Sequence, residues 1–253
     1  MVHFVGAGSG APDLITVRGA RLLASADLII YAGSLVNPQL LDYARPDAEI
    51  LNSARMNLDE VMEALISAEE QGKESVRLHT GDPSLYGAIR EQMDRLAEKN
   101  IAFDITPGVS SFSGAAAALR AEYTLPGVSQ SVIITRMEGR TAVPEGEKLA
   151  SLAAHGATMV LFLSAGMVDK VQEELLRGAY TPETPAAIVY RATWPDEQVF
   201  HCTVGTLAAC AHQHNITRMA LICVGNFLEG SYELSKLYDA SFSTMYREAK
   251  EGR

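Results

Sequence analysis

Two stretches of the chain combine residue types that hold small polar molecules at the ends of strands. Gly6-Ala7-Gly8-Ser9-Gly10-Ala11 satisfies G-x-G-x-x-[GA]. In that spacing, glycines let the backbone turn tightly and approach a pyrophosphate at the start of a helix. Thr80-Gly81-Asp82-Pro83-Ser84-Leu85-Tyr86-Gly87 brings together hydroxyls, glycines, a carboxylate and a proline. Asp82 and Pro83 have the pattern of a helix N-cap and first helical position, where the carboxylate takes up free amides and proline loses no hydrogen bond. Leu85, Ile89, Met93 and Leu96 then recur at helical spacing, which predicts a helix from Pro83 onward and makes the stretch a strand-to-helix turn.

The first loop suggests a dinucleotide site, and that reading needs an acid about 20 residues further on, at the end of the second strand. Asp27 instead begins the strand Asp27-Leu28-Ile29-Ile30-Tyr31, and Ala32-Gly33 follow its end. Pro12 and Asp13 also predict a late helix start, which weakens the approach of a helix to phosphate. A tight turn using glycine for backbone freedom alone is the alternative. The chain contains no G-x-S-x-G, G-x-x-x-x-G-K-[ST] or H-E-x-x-H, so the usual anchors of hydrolase triads, P-loops and zinc proteases are missing.

The elements that must position these loops alternate. Val2-His3-Phe4-Val5 reads as a first strand and is followed, past the glycine loop, by a helix to about Ser25. The second strand ends at Tyr31, a short helix lies near residues 38–43, and residues 48–51 form a weaker strand. Asn57 with Glu60 three residues on predicts a capping box, and the helix it opens places Val61, Met62, Leu65 and Ile66 on one face. Ser75-Val76-Arg77-Leu78-His79 and Ile101-Ala102-Phe103-Asp104-Ile105 are further strands. The latter leads into the turn Thr106-Pro107-Gly108-Val109-Ser110-Ser111 and a small-residue helix at 113–119. Alternation breaks at residues 121–129, around Pro126-Gly127, and then restarts with strands at 131–135, 158–163, 186–190, 199–204 and 219–224. The expected fold is α/β, with two αβα domains, residues 1–121 and 122–253, around an interdomain cleft. Their sheets are expected to be mainly parallel, the second one mixed.

The 253 residues carry 21 basic and 31 acidic side chains, a net charge of −10, which argues against a general nucleic-acid or anionic-membrane surface and leaves room for a local basic pocket. Cys202, Cys210 and Cys223 are odd in number and form no C-x-x-C pair, arguing against a disulfide framework or a zinc ribbon. Cys210, His212 and His214 point in different directions at their spacing in a helix, so no metal site is expected. The strand at Met1 to Val5 has no charged leader before it, and no apolar run is long enough to span a bilayer. A cytoplasmic protein is expected.

Four stretches, in order, resemble the tetrapyrrole methylase family, S-adenosylmethionine-dependent enzymes with two α/β domains around a cleft. They are Val5-Gly6-Ala7-Gly8-Ser9-Gly10-Ala11-Pro12-Asp13-Leu14-Ile15-Thr16-Val17-Arg18-Gly19, the 76–87 segment, the 106–111 turn, and Ala220-Leu221-Ile222-Cys223-Val224-Gly225. Tyr31-Ala32-Gly33-Ser34-Leu35-Val36 and Thr135-Arg136-Met137-Glu138-Gly139-Arg140-Thr141 look like the branch that methylates C11 of precorrin-4 or cobalt-precorrin-4 on the route to cobalamin. In the sister uroporphyrinogen III methylases, an acid ends the second strand and a lysine follows the third. The matching places here hold Ala32 and Ala54.

The resemblance implies that the cofactor, leaving as S-adenosylhomocysteine, is approached by Thr80, Gly81, Asp82 and Leu85, by Ser110 and Ser111, and by Ser164 and Ala192. Turns rich in Gly, Ser and Thr with apolar walls suit its amino-acid, ribose and adenine parts. The substrate implied is a flat corrin precursor fringed with carboxylates, for which Ser9 and the arginines Arg18, Arg55, Arg136 and Arg140 are the expected contacts, guanidinium pairing with carboxylate in fixed geometry. No catalytic side chain is expected, because transfer from an activated sulfonium rests on positioning. The family also implies a homodimer. A same-fold methyltransferase acting on another tetrapyrrole, or on a macromolecule as in the diphthamide or ribosomal-RNA branches, is the competing reading, and the acidic charge speaks against a macromolecular nucleic-acid substrate.

Overall fold

The structure, a computed structural model, describes residues 1–249. The chain opens with β1 (Val2–Gly6), α1 (Val17–Ser25), β2 (Leu28–Tyr31), β3 (Glu49–Asn52), α2 (Leu58–Glu70), β4 (Ser75–His79), α3 (Arg90–Glu98), β5 (Phe103–Thr106) and α4 (Ser111–Leu119). The five strands form one sheet in the order β3-β2-β4-β1-β5, and every neighbouring pair is parallel. A parallel sheet needs helices on both faces, and its strands are accordingly apolar on both sides. Val2, Phe4, Leu28 and Ile30 pack with Val61, Met62 and Leu65 of α2 and Leu96 of α3. Val5, Ile29, Val76 and Leu78 pack on the other side with Leu23 of α1 and Leu40.

The capping box that opens α2 is present. The Asn57 side chain accepts from the Glu60 amide at 3.0 Å, and the Glu60 carboxylate accepts from the Asn57 amide at 2.7 Å. α1 does start late. Residues Pro12–Leu14 form a single 3-10 turn, and Thr16 caps the helix by accepting from the Gly19 amide.

The second half contains β6 (Val132–Arg136), α5 (Leu149–Ala153), β7 (Thr158–Phe162), α6 (Val168–Leu176), β8 (Pro185–Tyr190), β9 (Gln198–Thr203), α7 (Leu207–Gln213) and β10 (Ala220–Val224). Its sheet has the order β6-β7-β10-β8-β9. β6 and β7 are parallel whereas β10 runs antiparallel to β7, so this sheet is mixed, as expected. The described chain folds as two compact units, Met1–Ala118 with Val189–Gln198, and Leu119–Ile188 with residues 199–249. No helix among the described residues is long and apolar enough to cross a membrane.

One local expectation fails. The helix predicted from Pro83 begins only at Arg90, and residues 80–89 are a non-helical loop with a turn at 83–86. Tyr86 (φ 57°) and Ala88 (φ 49°) are left-handed, a conformation that a right-handed helix of L-residues does not contain. Asp82 therefore does not cap a helix. Its Oδ1 accepts from the Ser84 amide at 2.8 Å and from the Ser84 hydroxyl, closing a side-chain turn.

Candidate active site

β4, β1 and β5 are neighbours, so parallel pairing delivers the loops after all three to the same edge of the sheet, where open α/β sheets bind ligands. The loops are joined by backbone bonds. The Ala7 amide donates to the His79 carbonyl at 2.7 Å, the Gly8 amide to the Gly81 carbonyl at 3.3 Å, and the Gly81 amide back to the Gly8 carbonyl at 3.0 Å. The Gly108 amide donates to Asp82 Oδ2 at 2.9 Å.

Glycine is required where these loops touch. A Cβ on Gly6 would lie 2.6 Å from both Gly108 Cα and the Gly81 oxygen, and one on Gly108 would overlap that same oxygen. Gly81 (φ +62°) faces Ser110 Cα and the Ser111 nitrogen across 3.5 Å. The structure thus brings together Thr80, Gly81, Asp82, Ser110 and Ser111 of the expected cofactor set.

Two polar atoms beside this junction lack a partner. Thr80 Oγ1 and His79 Nε2 are buried and make no hydrogen bond among the described residues. A buried hydroxyl left unpaired is costly, so Thr80 fits a ligand that supplies its partner. Gly81, Ser110 and Ser111 around it match the donor and acceptor set that S-adenosylmethionine calls for.

The electrostatics hold charge still instead of moving protons. Burial pushes the Asp82 carboxyl up, but the bonds from the Ser84 hydroxyl and from the Gly108 and Ser84 amides outweigh it and keep the group below the ordinary carboxylate value. Beneath the loop, burial, with the Arg77 charge adding to it, brings His79 down to about 3. His79 is therefore neutral at physiological pH. Burial also lowers Arg77 to about 10, which leaves it charged. Its guanidinium donates to Gln92 Oε1 at 3.2 Å and the Ile30 carbonyl at 3.1 Å. Gln92 in turn donates to the Ala88 carbonyl at 3.0 Å, so a buried network supports the left-handed end of the loop.

The glycine loop at 6–11 is occupied by protein. Ser9 Oγ and Thr193 Oγ1 are 3.0 Å apart, the Ala11 amide donates to Thr193 Oγ1 at 3.1 Å, and the Asn37 side chain donates to the Gly10 carbonyl at 2.9 Å. A Cβ on Gly10 would overlap Trp194. This seat explains a dinucleotide-like motif that lacks the ribose acid. Asp27 is at the opposite end of its strand, accepting from the Glu74 amide at 2.8 Å and from Arg45 at 2.7 Å.

The remaining expected residues are dispersed. Leu85 is half-buried in the 80–89 loop, and Ala192 is buried beside Thr193. Arg18 is exposed in the first turn of α1, and Arg55 is exposed at the end of the 3-10 turn Ser53–Arg55. In the second unit, Ser164 Oγ accepts from the Met137 amide at 2.8 Å and donates to the Phe162 carbonyl at 2.6 Å. Arg136 donates to the carbonyls of Met137, Thr141 and Ala142, closing the loop that carries exposed Arg140. The sequence reading missed Thr193, Trp194, Asn37 and the Arg77–Gln92 pair. A lone tryptophan four residues past the end of a strand and directly before a proline was the available signal for the first two.

The chain is similar in sequence and in fold to known proteins. Residues 1–208 match the sequence model of the family described as Tetrapyrrole (Corrin/Porphyrin) Methylases. A cobalt-precorrin-4 C(11)-methyltransferase of Methanocaldococcus jannaschii is 52% identical over 249 residues, covering 98% of this chain and 96% of that relative. Among solved structures, the X-ray structure of a cobalamin biosynthetic enzyme, cobalt precorrin-4 methyltransferase, superposes with a TM-score of 0.88 at 45% identity, covering 90% of this chain and 96% of that one. A uroporphyrin-III C-methyl transferase from Thermus thermophilus complexed with S-adenyl homocysteine gives a TM-score of 0.76 at 26% identity, covering 90% and 98%. With its three joined loops, its unpaired threonine and a match over most of its length, the chain belongs to the tetrapyrrole (corrin/porphyrin) methylases.

Proposed function

We propose that this protein is an S-adenosylmethionine-dependent methyltransferase that methylates C11 of precorrin-4 or cobalt-precorrin-4 in cobalamin biosynthesis. The observation that carries the reading is the junction of loops 6–11, 80–87 and 106–111 around the unpaired Thr80 hydroxyl, in a chain 52% identical to a cobalt-precorrin-4 C(11)-methyltransferase. S-adenosylmethionine, when bound, supplies a methyl group already activated on a sulfonium. The protein's task is then orientation, which can account for much of such a rate acceleration.

In this reading, Thr80 offers its hydroxyl, while Gly81, Ser110 and Ser111 offer backbone and hydroxyl groups. Leu85 and Ala192 supply apolar wall, and Asp82 holds the two loops in register. Ser164 would serve by orienting the Met137 segment through its two bonds. Arg18, Arg55 and Arg140, exposed on turns, suit the carboxylates of the macrocycle, and Arg136 shapes the turn that presents Arg140. The Ser9 hydroxyl, paired with Thr193, acts on the substrate through the shape of its loop. The net charge of −10 supports a small-molecule substrate over a nucleic acid. A cytoplasmic homodimer completes the proposal. Leu234, Tyr238, Met245 and Tyr246 are each more than four-fifths exposed, and exposed apolar side chains of this kind are what a second copy could cover.

The test is to incubate the protein with methyl-labelled S-adenosylmethionine and either precorrin-4 or its cobalt complex, and to locate the label by carbon NMR. Label at C11 is expected. Label at another ring position would remove the C11 assignment and leave the family intact.

A further inference from the structure

The segment Arg191-Ala192-Thr193-Trp194 is strained and held from every side. Arg191 (φ 48°) and Thr193 (φ 68°) are both left-handed, and for a β-branched residue such as threonine this is a genuine outlier. Such conformations are unfavourable and persist where the surroundings over-determine them, commonly at functional sites. Here the surroundings are specific. Thr193 Oγ1 lies 3.0 Å from Ser9 Oγ and accepts from the Ala11 amide at 3.1 Å. The Thr193 amide donates to Glu197 Oε2 at 2.6 Å, and Arg191 both pairs with Asp196 at 2.7 Å and stacks on the Trp194 ring at 4.2 Å. The Trp194 ring rests where a Gly10 side chain would be, and the Ala192 carbonyl oxygen would lie 2.9 Å from a Cβ there.

We infer that Thr193 is a positioning residue for the cofactor wall. By tying this left-handed turn to Ser9 and Ala11, its hydroxyl fixes where Ala192 stands. The inference rests on the assignment of Ala192 to the cofactor site under the proposed function. It also gives the Gly8-Ser9-Gly10-Ala11 run a role, since that run is the seat of the turn. The hydroxyl is the working part and the methyl is not, because the amide of Ala11 and the hydroxyl of Ser9 both need it as a partner.

The test compares Thr193→Val, which keeps the shape and removes the hydroxyl, with Thr193→Ser, which keeps the hydroxyl. Binding of S-adenosylhomocysteine is followed by emission of Trp194, the single tryptophan of the chain, alongside melting temperature, kcat and KM. Thr193→Val is expected to raise both the S-adenosylhomocysteine Kd and the S-adenosylmethionine KM about tenfold, with kcat held within about twofold. Thr193→Ser is expected to stay within about threefold of wild type. A valine variant with a lowered melting temperature and unchanged Kd and KM would reduce Thr193 to a structural residue and overturn the proposal, as would a serine variant as impaired as the valine one. If the valine variant does not fold, Ser9→Ala replaces it. That change removes the partner hydroxyl and must raise the Kd at least about threefold, an unchanged Kd being fatal. Wild-type protein that fails to bind S-adenosylhomocysteine would defeat both the function and this inference, whereas normal wild-type binding with an unaffected variant defeats the inference alone.

Discussion

The carboxylate of Asp82 and the backbone amide of Gly108 lie 2.9 Å apart, and that bond ties the loop after β4 to the loop after β5. A charged acceptor on a backbone amide is stronger than a neutral one, and losing it strands the amide. Asp82→Ala is expected to destabilise the protein by about 1–2 kcal/mol and to weaken S-adenosylhomocysteine binding about tenfold. Calorimetric titration and denaturant melts read both effects. Unchanged affinity together with unchanged stability would show that the loop does not form the cofactor wall. Because the folded carboxyl lies below its ordinary value of 3.8, this contribution is complete above that pH. It is lost only as the pH falls through the lower, folded value.

Gly108→Ala should be among the most damaging single methyl additions in the chain. The new Cβ would overlap the Gly81 carbonyl oxygen and approach Gly6 Cα to 2.8 Å, both of them backbone atoms that cannot swing aside. A loss of about 1–3 kcal/mol or more follows from overpacking, with cofactor binding falling in step. Gly146→Ala meets no atom within 4 Å and is the matched control, for which the melting temperature should hardly move. Equal melting temperatures for the two variants would contradict the close approach of the three loops.

Gly10→Ala would displace the Trp194 ring, since a Cβ at that position overlaps the ring edge. The half-buried indole would move toward water. Its emission should therefore shift to longer wavelength, and this is readable without ligand because the chain has one tryptophan. An emission spectrum identical to wild type would mean that the ring does not rest on Gly10.

His79 makes the stability of the protein depend on pH. Its folded value of about 3 lies below the 6.5 of the unfolded chain, so between those values the unfolded state binds the extra proton. Stability from this group is complete above 6.5 and falls as the pH drops toward 3. At pH 5 the loss amounts to about 2 kcal/mol. His79→Phe, placed near Phe4, whose ring centre is 6.0 Å from that of His79, removes the titrating group. Its urea midpoint should change less than that of wild type between pH 7 and pH 5. Parallel midpoints in the two proteins would rule out a buried, neutral His79.

Local rules carried much of this fold into view. The capping box of Asn57 and Glu60 and the late start of α1 after Pro12 each depend on residues within a few positions of one another. The failed helix at 83–89 shows where local rules stop. Asp82, Pro83 and Leu85 satisfy the helix pattern, but the Asp82 carboxylate is claimed by Gly108, and the segment from Tyr86 to Ala88 turns left-handed above the buried Arg77–Gln92 network.

By itself, the amino-acid sequence determined the order of strands and helices, the α/β class, the loops that bear the site and, through the resemblance those loops carry, the chemistry. It could do so because periodicity, capping and glycine placement are short-range constraints. Tertiary structure alone decided that β1 lies between β4 and β5, that Val189–Gln198 returns to the first unit, and that Thr193 meets Ser9 across 184 positions of chain. Those outcomes rest on contacts between residues far apart in sequence, whose energies exist only once the sheet has formed.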